Sequence, residues 1–231
     1  RASTQQAGLD AARRAGDRAG QAHSSRGLGG AYAVLGRFEE SNTQLLQAID
    51  LFAELGDHVG QAAAHLDLAG AFERRGLHRD ALTHTQQAHD LFALAGYRTG
   101  QANALNGIGW LHSELGNQDQ ALASCRQALE LLQAIGYRRG EAMTWDSLGY
   151  INLQLGQHEQ AESCLQQALA GYRALGDQFR EAESLSHLGD VHQAAGQPDA
   201  ARQCWQRSLA ILDQLGHSTA DGVRAKLAGS P

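Results

Sequence analysis

Hydrophobic residues recur at intervals of three and four positions along almost the whole chain. The stretches QANALNGIGWLHSELG (101–116) and QDQALASCRQALELLQAIG (118–136) show this spacing clearly. The spacing predicts amphipathic α-helices. Glycines interrupt the pattern regularly, and glycine accepts the left-handed conformation that often ends a helix. We therefore expect helices joined in pairs by tight turns, roughly 58–75 and 78–94 in one pair.

The pattern repeats every 40 residues without an insertion. Two sets of glycines mark the period. The first set is Gly16, Gly56, Gly96, Gly136, Gly176 and Gly216, and the second set is Gly36, Gly76, Gly116, Gly156 and Gly196. Self-similarity at a fixed period is typical of repeat architectures. Asp17, Asp57 and Asp177 directly follow such glycines and are placed to cap the next helix.

The same register predicts where the repeats begin and end. Residues 1–15 align with the second helix of a pair, so we expect a truncated repeat there. The last segment, which contains STADGVRAKLAGSP, is poorly apolar and is expected to be a partial capping helix or tail. Five full helix pairs lie between. The predicted segments of this single continuous solenoid domain are 1–15, 16–55, 56–95, 96–135, 136–175, 176–215 and 216–231.

Small residues occupy three further repeating sets of positions, which carry a family resemblance. They are Gly29, Ala69, Gly109, Gly149 and Gly189; Ala81, Ala121, Ala161 and Ala201; and Ala48, Ala88, Ala128 and Ala168. The chain resembles tetratricopeptide (TPR) repeats of a long, 40-residue type, as in LGN/Pins-like adaptors and the C-terminal arrays of bacterial STAND-class NTPase transcriptional regulators. The resemblance implies an all-α, right-handed α-solenoid that binds a protein or peptide in its concave groove, without catalysis or cofactor.

Composition argues against several classes of function. The net charge is −6, so the segment lacks the basic surface that direct nucleic-acid binding needs. No apolar stretch is long enough to cross a membrane. The three cysteines form no CxxC pair, which favours a reducing cytoplasm over a disulfide framework. Lys226 is the only lysine beside many arginines, a bias that points to a GC-rich bacterial genome.

The helix register separates core positions from the face expected to line the groove. Trp110 and Tyr150 fall on that face and form a candidate anchor patch, because large aromatics dominate interface hot spots. The alternative, that Trp110 packs sideways onto a neighbouring helix and binds nothing, stays open. The candidate partner-binding residues are Arg26, Arg74, Asn103, Asn106, Trp110, Glu114, Met143, Asp146, Tyr150, Leu153 and Asp190.

Other side chains are assigned to packing or to the surface. Trp145 and Trp205 share repeat positions with leucines and are expected in the core. Arg26 and Arg74 are placed to meet an acidic ligand, although exposed arginines are usually only solvated. No groove position holds a lysine, so the lysine–asparagine clamp of chaperone-binding TPR proteins is not expected.

No residue spacing favours metal binding or catalysis. His84 and His89, like His187 and His192, are five positions apart, whereas ligands on one helix face need three or four. Nucleophile-elbow, Walker A and HExxH motifs are absent from the sequence. The basic stretch Gly136–Gly140 is interpreted as a joint, because its glycines recur in other repeats and its arginines do not.

Two rival functions stay open, self-assembly through the repeat ends and small-ligand binding in the groove.

Overall fold

The computed structural model describes residues 2–229, and every regular element in that range is an α-helix. The helices are α1 (Ala2–Ala15), α2 (Arg18–Val34), α3 (Phe38–Leu55), α4 (His58–Glu73), α5 (His78–Leu94), α6 (Arg98–Glu114), α7 (Gln118–Ile135), α8 (Arg138–Gln154), α9 (His158–Leu175), α10 (Gln178–Ala194), α11 (Pro198–Leu215) and α12 (Ala220–Ala228). The predicted all-α class is confirmed. Residues 1, 230 and 231 of the predicted terminal segments lie outside the described range. Within that range, no helix is both long and apolar enough to span a bilayer.

The helices form two compact units, residues 1–117 and residues 118–231. In the first unit α2 packs on α3 and α4 packs on α5, with α1 and α6 at either end. The second unit pairs α8 with α9 and α10 with α11, with α7 before them and α12 after them. The first helices of successive pairs also meet, α2 with α4 and α8 with α10. We call the surface of α2, α4 and α6, and separately that of α8, α10 and α12, the first-helix face of each unit.

Left-handed glycines form the joints between the helices. Gly56 has a φ of 68°, and its N–H donates to the carbonyl oxygen of Ala53 at 3.1 Å. Asp57 caps α4 by accepting a hydrogen bond from the N–H of Gly60 at 2.8 Å. All of the glycines with positive φ in the described range belong to the two predicted sets. The predicted turn positions are therefore confirmed.

Small residues let the paired helices approach closely. The alanines at 81, 121, 161 and 201, and those at 48, 88, 128 and 168, are fully buried. At Gly149, an added Cβ atom would lie 2.6 Å from Cγ of Leu165 on the partner helix. Because protein interiors are close-packed, that position has no room for a side chain without a shift of its neighbours.

The C-terminal segment forms a short helix rather than an irregular tail. Ala220 and Val223 of α12 are buried in a cluster with Trp205 and Leu212. The helix buries only one edge, which explains why its sequence is sparsely apolar. The exact boundaries between successive repeats stay predictions.

A buried histidine pair makes the first unit sensitive to acid. His65 is 8% exposed, and its Nδ1 lies 3.1 Å from Nδ1 of His84. The two imidazole rings stack with their centroids 5.2 Å apart, and the ring of Phe72 stacks on the ring of His84. Burial, helped by the charge of His84, lowers the pKa of His65 to about 4. His65 is therefore neutral in the folded protein near neutral pH.

We expect His65→Leu to make the first unit more resistant to acid. A histidine whose folded pKa lies below its unfolded value of about 6.5 binds more protons when unfolded, so stability falls as the pH drops from about 6.5 toward about 4. Leucine occupies the same repeat position at Leu105 and Leu185. In urea unfolding, the free energy of unfolding of the wild type should be about 1–2 kcal/mol lower at pH 5.0 than at pH 7.5, and the variant should lack this loss. His23→Gln, at an exposed histidine, is the control, and an equal acid loss in His65→Leu would contradict the assignment.

Candidate partner-binding surfaces

The first-helix face of the first unit has open space over α4. Gly30, Gly70 and Trp110 occupy equivalent repeat positions on α2, α4 and α6. A Cβ atom added to Gly30 or Gly70 would meet no heavy atom within 4 Å. Gly30 also borders a cavity of about 610 Å³ between α1 and α2. The face therefore has open space where the third helix carries an indole.

Trp110 forms one side of this open space. Its Nε1 donates a hydrogen bond to Oε1 of Glu73 on α4 at 3.0 Å. The ring is half-buried and packs against a cluster that includes Ala69 and Leu111. The indole thus lies beside the turn of α4 that contains Gly70. The sideways packing weighed from the sequence does occur, and it leaves part of the ring exposed.

An ion pair marks the other side of the open space. Nε of Arg26 on α2 lies 2.6 Å from Oδ2 of Asp67 on α4. Both side chains are about one-third exposed. We call the space bounded by Arg26, Asp67, Gly70, Glu73 and Trp110 the Gly70 recess. Its edges are polar, and its floor is the bare backbone of α4.

The remaining candidates of the first unit lie on α4 and α6. Arg74 is the exposed C-cap residue of α4. On α6, Asn103 and Glu114 are exposed, and Asn106 is half-buried. Arg26 on α2 and Trp110 on α6 each make a side-chain contact with α4. Their role in binding stays a prediction.

In the second unit, Asp146 lies within a hydrogen-bond network between α8 and α10. Its carboxylate accepts hydrogen bonds from the hydroxyl of Ser184 and from Nδ1 of His187, which lies 3.2 Å from Oδ2. The ring of Tyr150 lies 6.1 Å from that imidazole, measured between centroids. Sequence reasoning missed Ser184 and His187 as partners of Asp146.

The network shifts the pKa of both charged partners. The pKa of His187 is raised above its ordinary value. Burial of the imidazole alone would lower this pKa, but the charge and the hydrogen bond of Asp146 raise it by more. Burial raises the pKa of Asp146, while His187, Ser184 and Arg180 lower it by more, so the pKa falls below its ordinary value. Both shifts favour the charged pair. The Asp146 carboxylate is thus a structural link between first helices as well as a candidate contact.

Asp190 connects α10 to α11 and α12. Nζ of Lys226 lies 2.6 Å from Oδ2 of Asp190 and 2.9 Å from the hydroxyl oxygen of Ser186. Nε1 of Trp205 donates to Oδ1 of Asp190 at 3.1 Å. The expectation that no groove position holds a lysine is wrong, because α12 continues the register and places Lys226 at the position of Arg26 and Asp146.

Met143 and Leu153 are half-buried rather than fully available on the face. Met143 packs against Ala142 and Tyr172, and Leu153 packs against the cluster that contains Leu165. Their positions remain predicted contacts, but much of each side chain already packs against the second unit's own core.

Trp145 departs from its expected core position. Trp205 is 4% exposed, in agreement with the register, whereas Trp145 is half-buried and borders two cavities in the second unit.

In the basic stretch Gly136–Gly140, Arg139 pairs with Asp177 at 2.8 Å and Arg138 pairs with Glu141 at 3.5 Å.

The described residues contain no group of three or more histidine, cysteine, aspartate or glutamate side chains able to hold a metal ion.

Paired helices with a 40-residue period define an α-helical repeat protein. A family model described as "Tetratricopeptide repeat" matches residues 19–93, 60–134 and 140–214. The chain belongs to the tetratricopeptide repeat family. No curated protein sequence matches it closely enough to count as a relative.

Solved structures share the fold along most of the chain. BtubC (BKLC) from P. vanneervenii matches with a TM-score of 0.79 at 20% identity, over 93% of this chain and 91% of that one. The Rap conjugation gene regulator of the plasmid pLS20, in complex with the Phr* peptide, matches with a TM-score of 0.76 at 15% identity, over 91% of this chain and 58% of the regulator. A STAND protein with a tetratricopeptide repeat sensor from Pyrococcus horikoshii matches with a TM-score of 0.69 at 14% identity, over 90% of this chain and 36% of that protein. At these identities the likeness concerns the fold alone.

Proposed function

We propose that this chain is a protein-interaction scaffold that binds a peptide segment of a partner protein in the Gly70 recess. One observation carries the proposal: open space over Gly70 lies beside the partly exposed indole of Trp110. An aromatic ring with a polar rim is typical of a binding hot spot. An apolar side chain of the peptide packs against the ring, and the bare helix lets the peptide backbone approach closely.

The rim of the recess supplies polar contacts to such a peptide. Arg26 and Asp67 face each other on one side, and Glu73 holds the indole N–H on the other. These groups fix the ring and the neighbouring helices before binding, which lowers the ordering cost of the complex. Asn103, Asn106 and Glu114 on α6, and Arg74 on α4, are proposed as flanking contacts. Tyr150, Asp146, Asp190, Met143 and Leu153 are proposed as separate contacts on the first-helix face of the second unit.

The wider role that we propose is the interaction or sensor array of a bacterial regulatory protein. Family membership supports a scaffold, and the structural neighbours include a Rap regulator with a bound peptide and a STAND protein with a repeat sensor. The proposal includes a cytoplasmic location and assigns no reaction, cofactor or nucleic-acid contact to this chain.

We expect Gly70→Leu to weaken peptide binding without unfolding the protein. The new side chain enters open space on the helix surface, where leucine is a better helix former than glycine. It occupies the volume that the peptide needs. Twelve-residue peptides selected from a random phage-displayed library on the wild-type chain serve as probes, and fluorescence anisotropy gives Kd for each variant. A Kd at least about tenfold higher is expected for Gly70→Leu and for Trp110→Ala.

Gln86→Leu is the matched control, because it adds leucine at an exposed position of α5 in the same unit. This control should bind the selected peptides like the wild type. Peptides that bind Gly70→Leu and wild type equally well would place the site elsewhere, and failure to select any peptide would count against peptide recognition by this face.

A further inference from the structure

The fourth repeat has two neighbouring cavities that share Trp145 of its first helix. Both α7 and α9 pack on α8, and Cys164 of α9 also contacts the cluster that contains Ala121 and Cys125 of α7. A cavity of about 410 Å³ lies between α8 and α9, a second of about 400 Å³ lies among α7, α8 and α9, and Trp145 borders both. We call Trp145 with these two cavities the Trp145 notch.

Some residues of α9 that line the first cavity differ from those of the other repeats. Ala170, Gly171 and Ala174 line it. Other repeats have charged or larger residues at two of these positions. The residues equivalent to Ala170 include Asp50, Asp90 and Glu130, and the residues equivalent to Gly171 include Leu51, Leu91, Leu131 and Ile211. Only the fourth repeat combines an uncharged small residue with glycine there. An added Cβ atom at Gly171 would lie 2.8 Å from Cβ of Ala142, so glycine at this position lets α9 approach α8 closely beside the cavity. This combination of small residues is particular to the fourth repeat.

Trp145 gives the notch an aromatic floor. The equivalent residues in the other repeats are smaller, and they are Ser25, His65, Leu105 and Leu185. Trp145 packs partly on the clusters around Leu148 and Tyr172, and the rest of the ring faces the two cavities. Tryptophan is one of the residues most enriched in binding hot spots.

The charged side chains of the notch are mainly basic. Arg126 lines the second cavity, and no carboxylate of the described chain lies within 4.0 Å of its guanidinium nitrogens. Arg138 lines the first cavity with its side chain 80% exposed, and it pairs only loosely with Glu141 at 3.5 Å. Arginine thus lies at each end of the notch, which makes an acidic ligand electrostatically complementary.

The shape of the notch fits a helix. The residues of α9 that line the two cavities include Gln160, Cys164, Gln167, Gly171 and Ala174, which follow one another at intervals of four and three. Residues with this spacing form one continuous stripe along a helix. A partner helix that lies along the stripe can place apolar side chains at matching intervals over Trp145.

We propose that the Trp145 notch binds an acidic amphipathic helix of a partner protein. The notch lies wholly in the second unit and shares no residue with the Gly70 recess. The inference therefore goes beyond the proposed peptide site and does not depend on it.

The test uses a phage-displayed library of 18-residue helices with a fixed apolar stripe and randomised outer positions, selected on the full chain. We expect the enriched peptides to be acidic. Ala170→Asp, which restores the aspartate of the first two repeats at an exposed position, should raise Kd at least about tenfold, as should Trp145→Leu. Bound peptide should also slow the alkylation of Cys164, which lines the notch, by iodoacetamide.

Two matched controls sharpen the result. Ala210→Asp makes the same change at the equivalent exposed position of the fifth repeat, where Ile211 follows in place of glycine, and should leave Kd unchanged. Cys204, equivalent to Cys164, should be alkylated at the same rate with and without peptide. Gly70→Leu should not affect this binding, which separates the inference from the proposed peptide site. Neutral or basic peptides, no enrichment, or equal effects of Ala170→Asp and Ala210→Asp would overturn the proposal.

Discussion

Replacing Trp205 with alanine should destabilise the second unit by about 3–5 kcal/mol, because it empties the largest buried side chain position of that unit. The ring is 4% exposed and packs among residues of α10, α11 and α12, including Ala182, Leu212 and Val223. Its Nε1 also donates to the carbonyl oxygen of Ser186 at 3.2 Å. Truncation therefore removes apolar contacts and leaves a buried carbonyl without this donor.

Urea unfolding followed by far-UV circular dichroism measures this loss without relying on tryptophan fluorescence. Trp145→Ala is the matched control, since Trp145 is half-buried beside cavities and its removal should cost less than half as much. Trp205→Leu, which introduces the residue found at Leu45 and Leu165, should lose less than Trp205→Ala. A loss below about 1 kcal/mol in Trp205→Ala would contradict the packing described for α12.

Adjacent glycines of α2 should respond in opposite directions to the same substitution. In Gly29→Ala the new Cβ atom lies 2.6 Å from Cγ of Leu45 and 3.1 Å from the backbone oxygen of Ser41. We expect a net loss of about 1–3 kcal/mol, as for other overpacked cores. In Gly30→Ala the Cβ atom meets no heavy atom within 4 Å, and a gain of about 0.5–1 kcal/mol is expected from helix propensity alone.

Both substitutions gain the same helix propensity, so the difference between them measures the closeness of α2 and α3. Thermal and urea unfolding of the two variants give that difference directly. A difference of about 2 kcal/mol or more supports the close approach at Gly29. Equal stabilities would mean that the helices are farther apart than described.

The fold could be predicted from the sequence because its determinants are local and repeat. Glycine at Gly16, at Gly36 and at each equivalent position allows a left-handed joint. The three-and-four spacing of hydrophobic residues between these glycines favours helices. The buried alanine columns follow from the same register. Even Trp205 could be assigned to the core, because Leu45 and Leu165 share its position.

The candidate surfaces were only partly predictable, because they depend on contacts between helices of different repeats. The register placed Arg26 and Asp146 on the first-helix face but did not pair them with Asp67 and His187. Both pairs have a spacing of 41 residues, so opposite charges at that spacing are a signal that the sequence does contain.

Exposure was harder to predict than position. Trp145 shares a repeat position with Leu105 and Leu185, yet its larger ring is only half-buried and borders two cavities. The weakly apolar sequence of α12 does not by itself place Lys226 on the first-helix face. The pairing of Lys226 with Asp190 depends on a helix that the pattern alone left open as a tail.

The three tryptophans offer a direct test of peptide binding at the Gly70 recess. A ¹H–¹⁵N correlation spectrum resolves each indole N–H, and single Trp→Phe variants assign the signals. Titration with a twelve-residue peptide selected on this chain should shift the Trp110 indole signal, because binding rearranges the surroundings of its hydrogen bond to Glu73. The buried Trp205 signal should stay in place. A peptide that saturates the protein while the Trp110 signal does not move would contradict the central claim.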